Sequence, residues 1–248
     1  MSAGQASVSV DKPKNERIRA LNLFSIVTVL AVVVGLLMAL FYAGTDVDQG
    51  DVQRLFYLHM GGFFGAFATF GVAVFAGVQY LRTREAKWDA LALACIEVGI
   101  VLSFINLATG SIWARPIWNT WWTWDPRLTS AAVMVLTYVA YLMLRNGIEN
   151  VETRRRFASI YGILAFSTVI LTLVIIRIRP DTIHPAVIGT GAANAEGGFA
   201  MTQGIGITMA VNVLVWIFLL APALVWWRIR LENALERVQR LKTSYLES

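Results

Sequence analysis

The chain has two histidines, and they are the first residues to examine for chemistry. His59 stands in RLFYLHMGG and His184 in RPDTIHPAV. Neutral imidazole is the commonest metal ligand among side chains. Two imidazoles suffice for a metal whose other positions are already filled, as in a six-coordinate heme. Zinc would want further Cys, His or carboxylate ligands. Asp46, Asp48 and Asp51 are available, but without a supporting spacing. The residue count favours heme; the bland alternative is two interface histidines with no shared partner.

A second cluster is WNTWWTWDPRLT, residues 118–129. With Trp113, the residues Trp118, Trp121, Trp122 and Trp124 place five of the nine tryptophans in one short region. Tryptophan collects at membrane interfaces, where its ring is apolar and its N–H wet. Trp88, Trp226 and Trp227 fit such a belt, but five together exceed it. The 118/121/122 and 121/124/125 spacings predict one face of a short interfacial helix, closed by Pro126. That face would be a flat apolar shelf for a large planar ligand or another protein. Each ~100 Å² covered is worth roughly 2.5 kcal/mol before ordering costs. Asp125 reads as a cap at the start of a helix or as the partner of Arg127. The planar fork of Arg127, at the rim of the shelf, suits a ligand carboxylate.

Membrane helices must position these groups. The chain has 248 residues, of which 57% are hydrophobic and 15% charged, against about 25% charged in soluble domains. That makes it an all-α, polytopic integral membrane protein. Six apolar stretches approach the ~20 residues that a helix needs to cross a bilayer. They fall at about 20–43, 57–81, 90–110, 128–145, 160–177 and 204–227, in a single membrane domain over 1–248. Sixteen of the 21 Lys and Arg residues sit in the N-terminal tail, the 82–89 and 145–157 loops and the C-terminal tail. The positive-inside rule therefore puts both termini in the cytoplasm. The loops at 44–56, 111–127 and 178–203 face outward, carrying both histidines and the tryptophan cluster. This placement accounts for the net charge of +5 as topology rather than nucleic-acid binding.

Smaller features complete the reading. The single Cys95 permits no intramolecular disulfide, and the absence of a Cys-x-x-Cys-His run rules out covalent heme attachment of the c type. The polar first twenty residues and long apolar run do not read as a cleavable signal. Glu97, midway along the third span, is expected to face the protein interior near Asn106 or Asn212. The segment 228–248 reads as a charged, partly heptad-like helical tail that touches solvent, a partner or the lipid surface. The Gly- and Ala-rich stretch before the sixth span reads as a flexible connection.

The stretch TGSIWARPIWNTWWTWDPRLTS resembles the WWD motif of the heme-handling membrane proteins of cytochrome c biogenesis. Among these it is most similar to the heme exporter protein C (cytochrome c maturation protein C) family. Six spans, an outward WWD loop, one histidine in each flanking outward region and QGDVQRLFYLH before His59 share the pattern. The family tends to have glycine where Ala114 and Asn119 stand, and Val-Pro where Met60 and Gly61 follow the first histidine. The resemblance implies non-covalently held b-type heme at the outer face of the inner membrane. His59 and His184 would be its axial ligands and the WWD tryptophans its platform, with Asp125 and Arg127 orienting propionates or a partner. It implies delivery to an extracytoplasmic heme chaperone, alongside ABC-type ATPase and permease subunits and a small single-span subunit. No Walker motif is present, so ATP hydrolysis would belong to a partner and the chain is not itself an enzyme. The alternatives are a heme lyase or synthase component, a b-type electron-transfer cytochrome and a solute permease. Larger size and more histidines, paired histidines on helices, and a polar path through the bilayer would mark these in turn.

Overall fold

The computed structural model describes residues 12–179, 181–186, 194–198 and 200–246, with no side-chain description at 12–15, 17, 245 and 246. Residues 187–193 and 199, in and beside the Gly- and Ala-rich stretch, and the side chains of Lys12, Lys14 and Arg17 lie outside the described residues. The chain runs as α1 (Lys12–Leu37), α2 (Leu55–Thr83), α3 (Ala86–Trp118), α4 (Pro126–Asn146), α5 (Val151–Ile178), α6 (Gln203–Val215) and α7 (Ala221–Leu246). A π turn, Met38–Tyr42, extends α1, and another, Trp216–Leu220, joins α6 to α7 into one sixth span. Six helical stretches are long and apolar enough to cross a membrane. Helices are the expected form there because lipid offers backbone groups no hydrogen-bond partner.

The helices run past the apolar stretches: α3 continues to Trp118, α5 begins at Val151, and α7 carries on as the charged helical tail to Leu246. Local capping sets several ends. Asn150 accepts from the Thr153 N–H at 2.9 Å and Thr202 from the Ile205 N–H at 3.3 Å. Both are the side-chain caps that supply orphan first-turn donors.

α2 and α3 form the centre of the bundle. Their contact is close because glycines face it: a Cβ on Gly62 would lie 3.0 Å from the Leu102 carbonyl oxygen. Small residues allow such approach where lipid supplies no hydrophobic drive. Phe70 fills the space beside Gly99 and stacks on Tyr138 of α4 at 3.8 Å and 9°.

One end of the bundle is ionic. The Asp89 carboxylate on α3 takes a two-pronged bond from Arg145 at the end of α4, 2.7 Å on each prong, and Arg155 on α5 adds a contact at 3.3 Å. The Trp227 indole N–H donates to Ser25 at 2.7 Å, tying the first third of α7 to the middle of α1. Glu97 pairs with Arg228 at 2.5 Å, not with Asn106 or Asn212. Asn106 is nine residues further along α3, roughly 13 Å at 1.5 Å per residue, out of reach of that carboxylate. Asn212 donates instead to the Gly35 and Thr208 carbonyls. The opposite end holds both histidines and the tryptophan cluster 113–124.

Candidate functional site

Both histidines line one cavity, with about 910 Å³ of empty space counting its open mouth. Phe63, Met60, Leu107, Leu128 and Met134 give it apolar walls, and Trp113, Trp118 and Trp122 stand on its outer side. Such a lining, apolar with few polar groups, is typical of small-molecule sites.

His59 sits one turn into α2. Its Nδ1 lies 2.9 Å from the main-chain carbonyl oxygen of Asn106. A carbonyl can only accept, so Nδ1 carries the proton and Nε2 keeps its lone pair. The Asn106 amide nitrogen also lies 3.2 Å from this Nδ1, but it donates to the His59 carbonyl at 2.9 Å, and the shorter contact of Nδ1, to the Asn106 carbonyl, decides the tautomer. Gly110, one turn on, clears the space: a Cβ there would lie 3.0 Å from Cε1 and 3.2 Å from Nδ1 of His59.

His184 reaches the same cavity from the turn after α5. Its Nδ1 is 2.9 Å from the Pro185 carbonyl oxygen, which fixes the same tautomer. Burial lowers its pKa to about 3, helped by the Arg127 charge and by His59, against the Pro185 carbonyl, which raises it. The ring is therefore neutral at physiological pH. Among the described residues neither Nε2 has a hydrogen-bond partner.

The two rings lie 6.4 Å apart between centroids, at 30° to each other. Metal–imidazole bonds of about 2 Å, plus about 1 Å from nitrogen to ring centre, place two imidazoles sharing one metal at roughly 6 Å. The separation and the protonation pattern fit a group that needs two axial nitrogens. Among the described residues, no three His, Cys, Asp or Glu side chains gather to hold a bare metal ion. Asp46 is spent on the N–H groups of Asp48 and Gln49, and Asp51 pairs with Arg54.

The tryptophans differ from the expected shelf on a short helix. Trp113 and Trp118 belong to α3, and residues 119–125 have no regular structure. The break is local: Asn119 ends α3 at φ 54°, in the left-handed region, and Asp125 is extended before Pro126 (ψ 145°). Asparagine tolerates that φ better than most residues, and a glycine there would adopt it without strain. The rings meet edge to face instead of lying flat, Trp113 on Trp118 at 85° and Trp122 on Trp124 at 83°. Trp121 and Trp124 are 58% and 78% exposed and stand outside the cavity lining.

Asp125 and Arg127 form no ion pair with each other. Buried Asp125 caps α4 by accepting from the Arg127 N–H at 2.8 Å. It also accepts from the Thr182 hydroxyl at 3.0 Å and the Ile183 N–H at 2.8 Å. Its oxygens are thus spent on the strand of chain that carries His184. The Arg127 guanidinium reaches inward to the Thr172 carbonyl and lies 4.8 Å from the Phe63 ring, at the cavity wall.

Three supporting groups escaped sequence reasoning. Asn106 and Gly110 shape the His59 site through a carbonyl and a missing Cβ. Gln49 accepts from the Trp113 indole at 2.8 Å and donates to the Gly197 carbonyl at 2.6 Å, joining the connection before α2 to the one before α6. The one available signal was the i, i+4 spacing of Asn106 and Gly110, which puts both on one face of α3.

Comparison with known proteins bears on this geometry. The profile of heme exporter protein C matches residues 12–244. The chain belongs to the heme exporter protein C family. It is 29% identical to heme exporter protein C of Haemophilus influenzae over 224 residues, 88% of this chain and 86% of that protein. It is 35% identical to heme exporter protein C of Escherichia coli K12 over 140 residues, 55% of this chain and 56% of that protein. The Rhodobacter capsulatus protein of the same name is 33% identical over 137 residues, 55% of each chain.

Proposed function

We propose that this protein binds heme non-covalently at the outer face of the inner membrane and passes it to an extracytoplasmic heme chaperone for cytochrome c maturation. His59 and His184 are the axial ligands. The observation that carries the reading is the facing of two Nδ1-protonated imidazoles, 6.4 Å apart, across one apolar cavity. Trp113, Trp118 and Trp122 cover the macrocycle at the cavity mouth. Arg127 offers the nearest cation to a propionate, while Asp125 acts through the His184 turn. Exposed Trp121 and Trp124 form the outer surface that the chaperone meets.

The distribution of Lys and Arg supports the orientation, with both termini and the ionic end in the cytoplasm. The chain performs no bond-making step of its own: it holds, orients and hands on its cargo. ABC-type ATPase and permease subunits and a small single-span subunit, the partners implied by the resemblance, would supply the energy-coupled part.

The decisive experiment is an absorption spectrum of the purified protein loaded with heme. A six-coordinate low-spin spectrum is expected, lost in the His59→Ala, His184→Ala double variant. An unchanged spectrum in that variant overturns the ligand assignment. Trp122→Ala should weaken heme retention, whereas Trp121→Ala with Trp124→Ala should leave the spectrum intact and slow transfer to the chaperone.

A further inference from the structure

The sixth span does not stop at the membrane. From Gln203 to Ser244 the helical run covers 42 residues, roughly 63 Å at 1.5 Å per residue, about twice the ~30 Å hydrocarbon core. The final part of α7 therefore stands in water at the ionic end. Yet Leu231, Val238 and Leu241 there are 55%, 63% and 60% exposed. With Ala234 they occupy residues 231, 234, 238 and 241, alternating three and four apart. These are the a and d positions of a heptad, the seam that a coiled-coil partner covers.

Charge is sorted around this seam. The flanking e and g positions hold Arg230, Leu235, Arg237, Lys242 and Ser244, so every charge beside the seam is positive. Glu232 and Glu236 fall at b and f, away from it, and Glu232 is engaged by Arg228 at 2.7 Å. Among the described residues no ion pair forms at Arg237, Arg240 or Lys242.

We propose that this face of α7 docks a helix of another protein, apolar at heptad spacing and carrying carboxylates beside its seam. Flanking charges decide partner choice in such pairs. A second copy of this chain is disfavoured in either direction: parallel pairing sets Arg237 against Lys242, and antiparallel pairing centred on the seam sets Arg237 against Arg237. An anionic bilayer surface would suit a basic amphipathic helix lying flat. That pose needs a break between span and tail, and α7 is unbroken from Ala221 to Leu246.

The test uses the full chain in nanodiscs of neutral phosphatidylcholine. The probe is a labelled three-heptad peptide with Leu at a and d and Glu at e and g, compared with its Lys-flanked counterpart. At least tenfold tighter binding of the Glu peptide is expected. Arg237→Glu with Lys242→Glu should reverse the preference, and Val238→Asp with Leu241→Asp should abolish binding, with the thermal melt of the membrane part unchanged. Equal binding of both peptides, or binding that survives the aspartates, overturns the proposal. So does a two-copy species that Val238→Asp dissociates, or a label at position 238 that buries itself in phosphatidylglycerol nanodiscs.

Discussion

The Asp125 carboxylate accepts the Ile183 N–H at 2.8 Å across 58 residues of sequence, so the first residue of the α4 cap also holds the turn that carries His184. The same carboxylate takes the Thr182 hydroxyl and the Arg127 N–H. Removing it acts on the cap and on the ligand together. Asp125→Ala should cost about 1 kcal/mol of stability through the cap. It should also weaken heme binding by roughly 10- to 100-fold, the usual range for a lost supporting contact. The spectrum should shift toward a five-coordinate, high-spin form, because His184 loosens while His59 stays. Asp125→Asn, which keeps one acceptor oxygen, should fall between. A heme titration followed by resonance Raman reads both effects; a fully six-coordinate Ala variant contradicts the positioning role.

Gly110 offers a test in which two effects have opposite signs. Alanine in a helix is favoured over glycine by about 1 kcal/mol, so Gly110→Ala should hold or raise the melting temperature of the heme-free protein. The new Cβ would press on the His59 ring at 3.0 Å and displace it by a few tenths of an ångström. Heme affinity should therefore fall while stability does not. Parallel loss of both, measured by thermal melt and heme titration, would mean the methyl disrupts packing instead of ligand geometry.

The candidate site was legible in the sequence where residues are scarce. Two histidines and a crowd of tryptophans stand out in any chain, and apolar runs announce spans because lipid excludes polar side chains. Span ends were harder to see. α5 begins at Val151 and passes through Arg154, Arg155 and Arg156, which continue a helix in water without adding to an apolar run. The spacing of the tryptophans suits a short helix, but Asn119 and the extended Asp125 break the backbone on either side. The support of the histidines was hidden for another reason. Carbonyls of Asn106 and Pro185 set their tautomers, and a main-chain carbonyl is present at every position. Contacts such as Glu97 with Arg228, 131 residues apart, depend on the packing of α3 against α7.

His184 predicts a pH dependence. Its pKa lies near 3 in the docked turn but near 6.5 when the turn is released into water. Below pH 6.5 the released form gains a proton that the docked form refuses, so docking weakens as pH falls through 6.5 and levels off near 3. At pH 5 the loss is on the order of 2 kcal/mol. Hydrogen exchange at Thr182 and Ile183 in the heme-free protein should accelerate between pH 7 and 5, after correction for intrinsic exchange. The His184→Gln variant, which has no proton to gain, should show a flat profile. A flat profile in the unaltered chain would mean that the ring titrates like an exposed histidine.

The ionic end supplies a prediction about stability alone. Among the described residues Asp89 has two cations, Arg145 at 2.7 Å and Arg155 at 3.3 Å, whereas Arg145 has one carboxylate beside it. The side chains of Asp89 and Arg145 are 5% and 10% exposed, so either left alone is a charge held out of water. Removing one member of such a pair costs about 3–5 kcal/mol, while replacing both by apolar groups is often neutral. The two single variants should therefore differ. Asp89→Leu strands Arg145 and should be the more damaging, whereas Arg145→Met leaves Asp89 with Arg155 and should be milder. The double variant should recover most of the loss. Thermal melts in detergent give the order. Heme affinity should hold in all three, because this cluster and the histidines sit at opposite ends of α3 and α4.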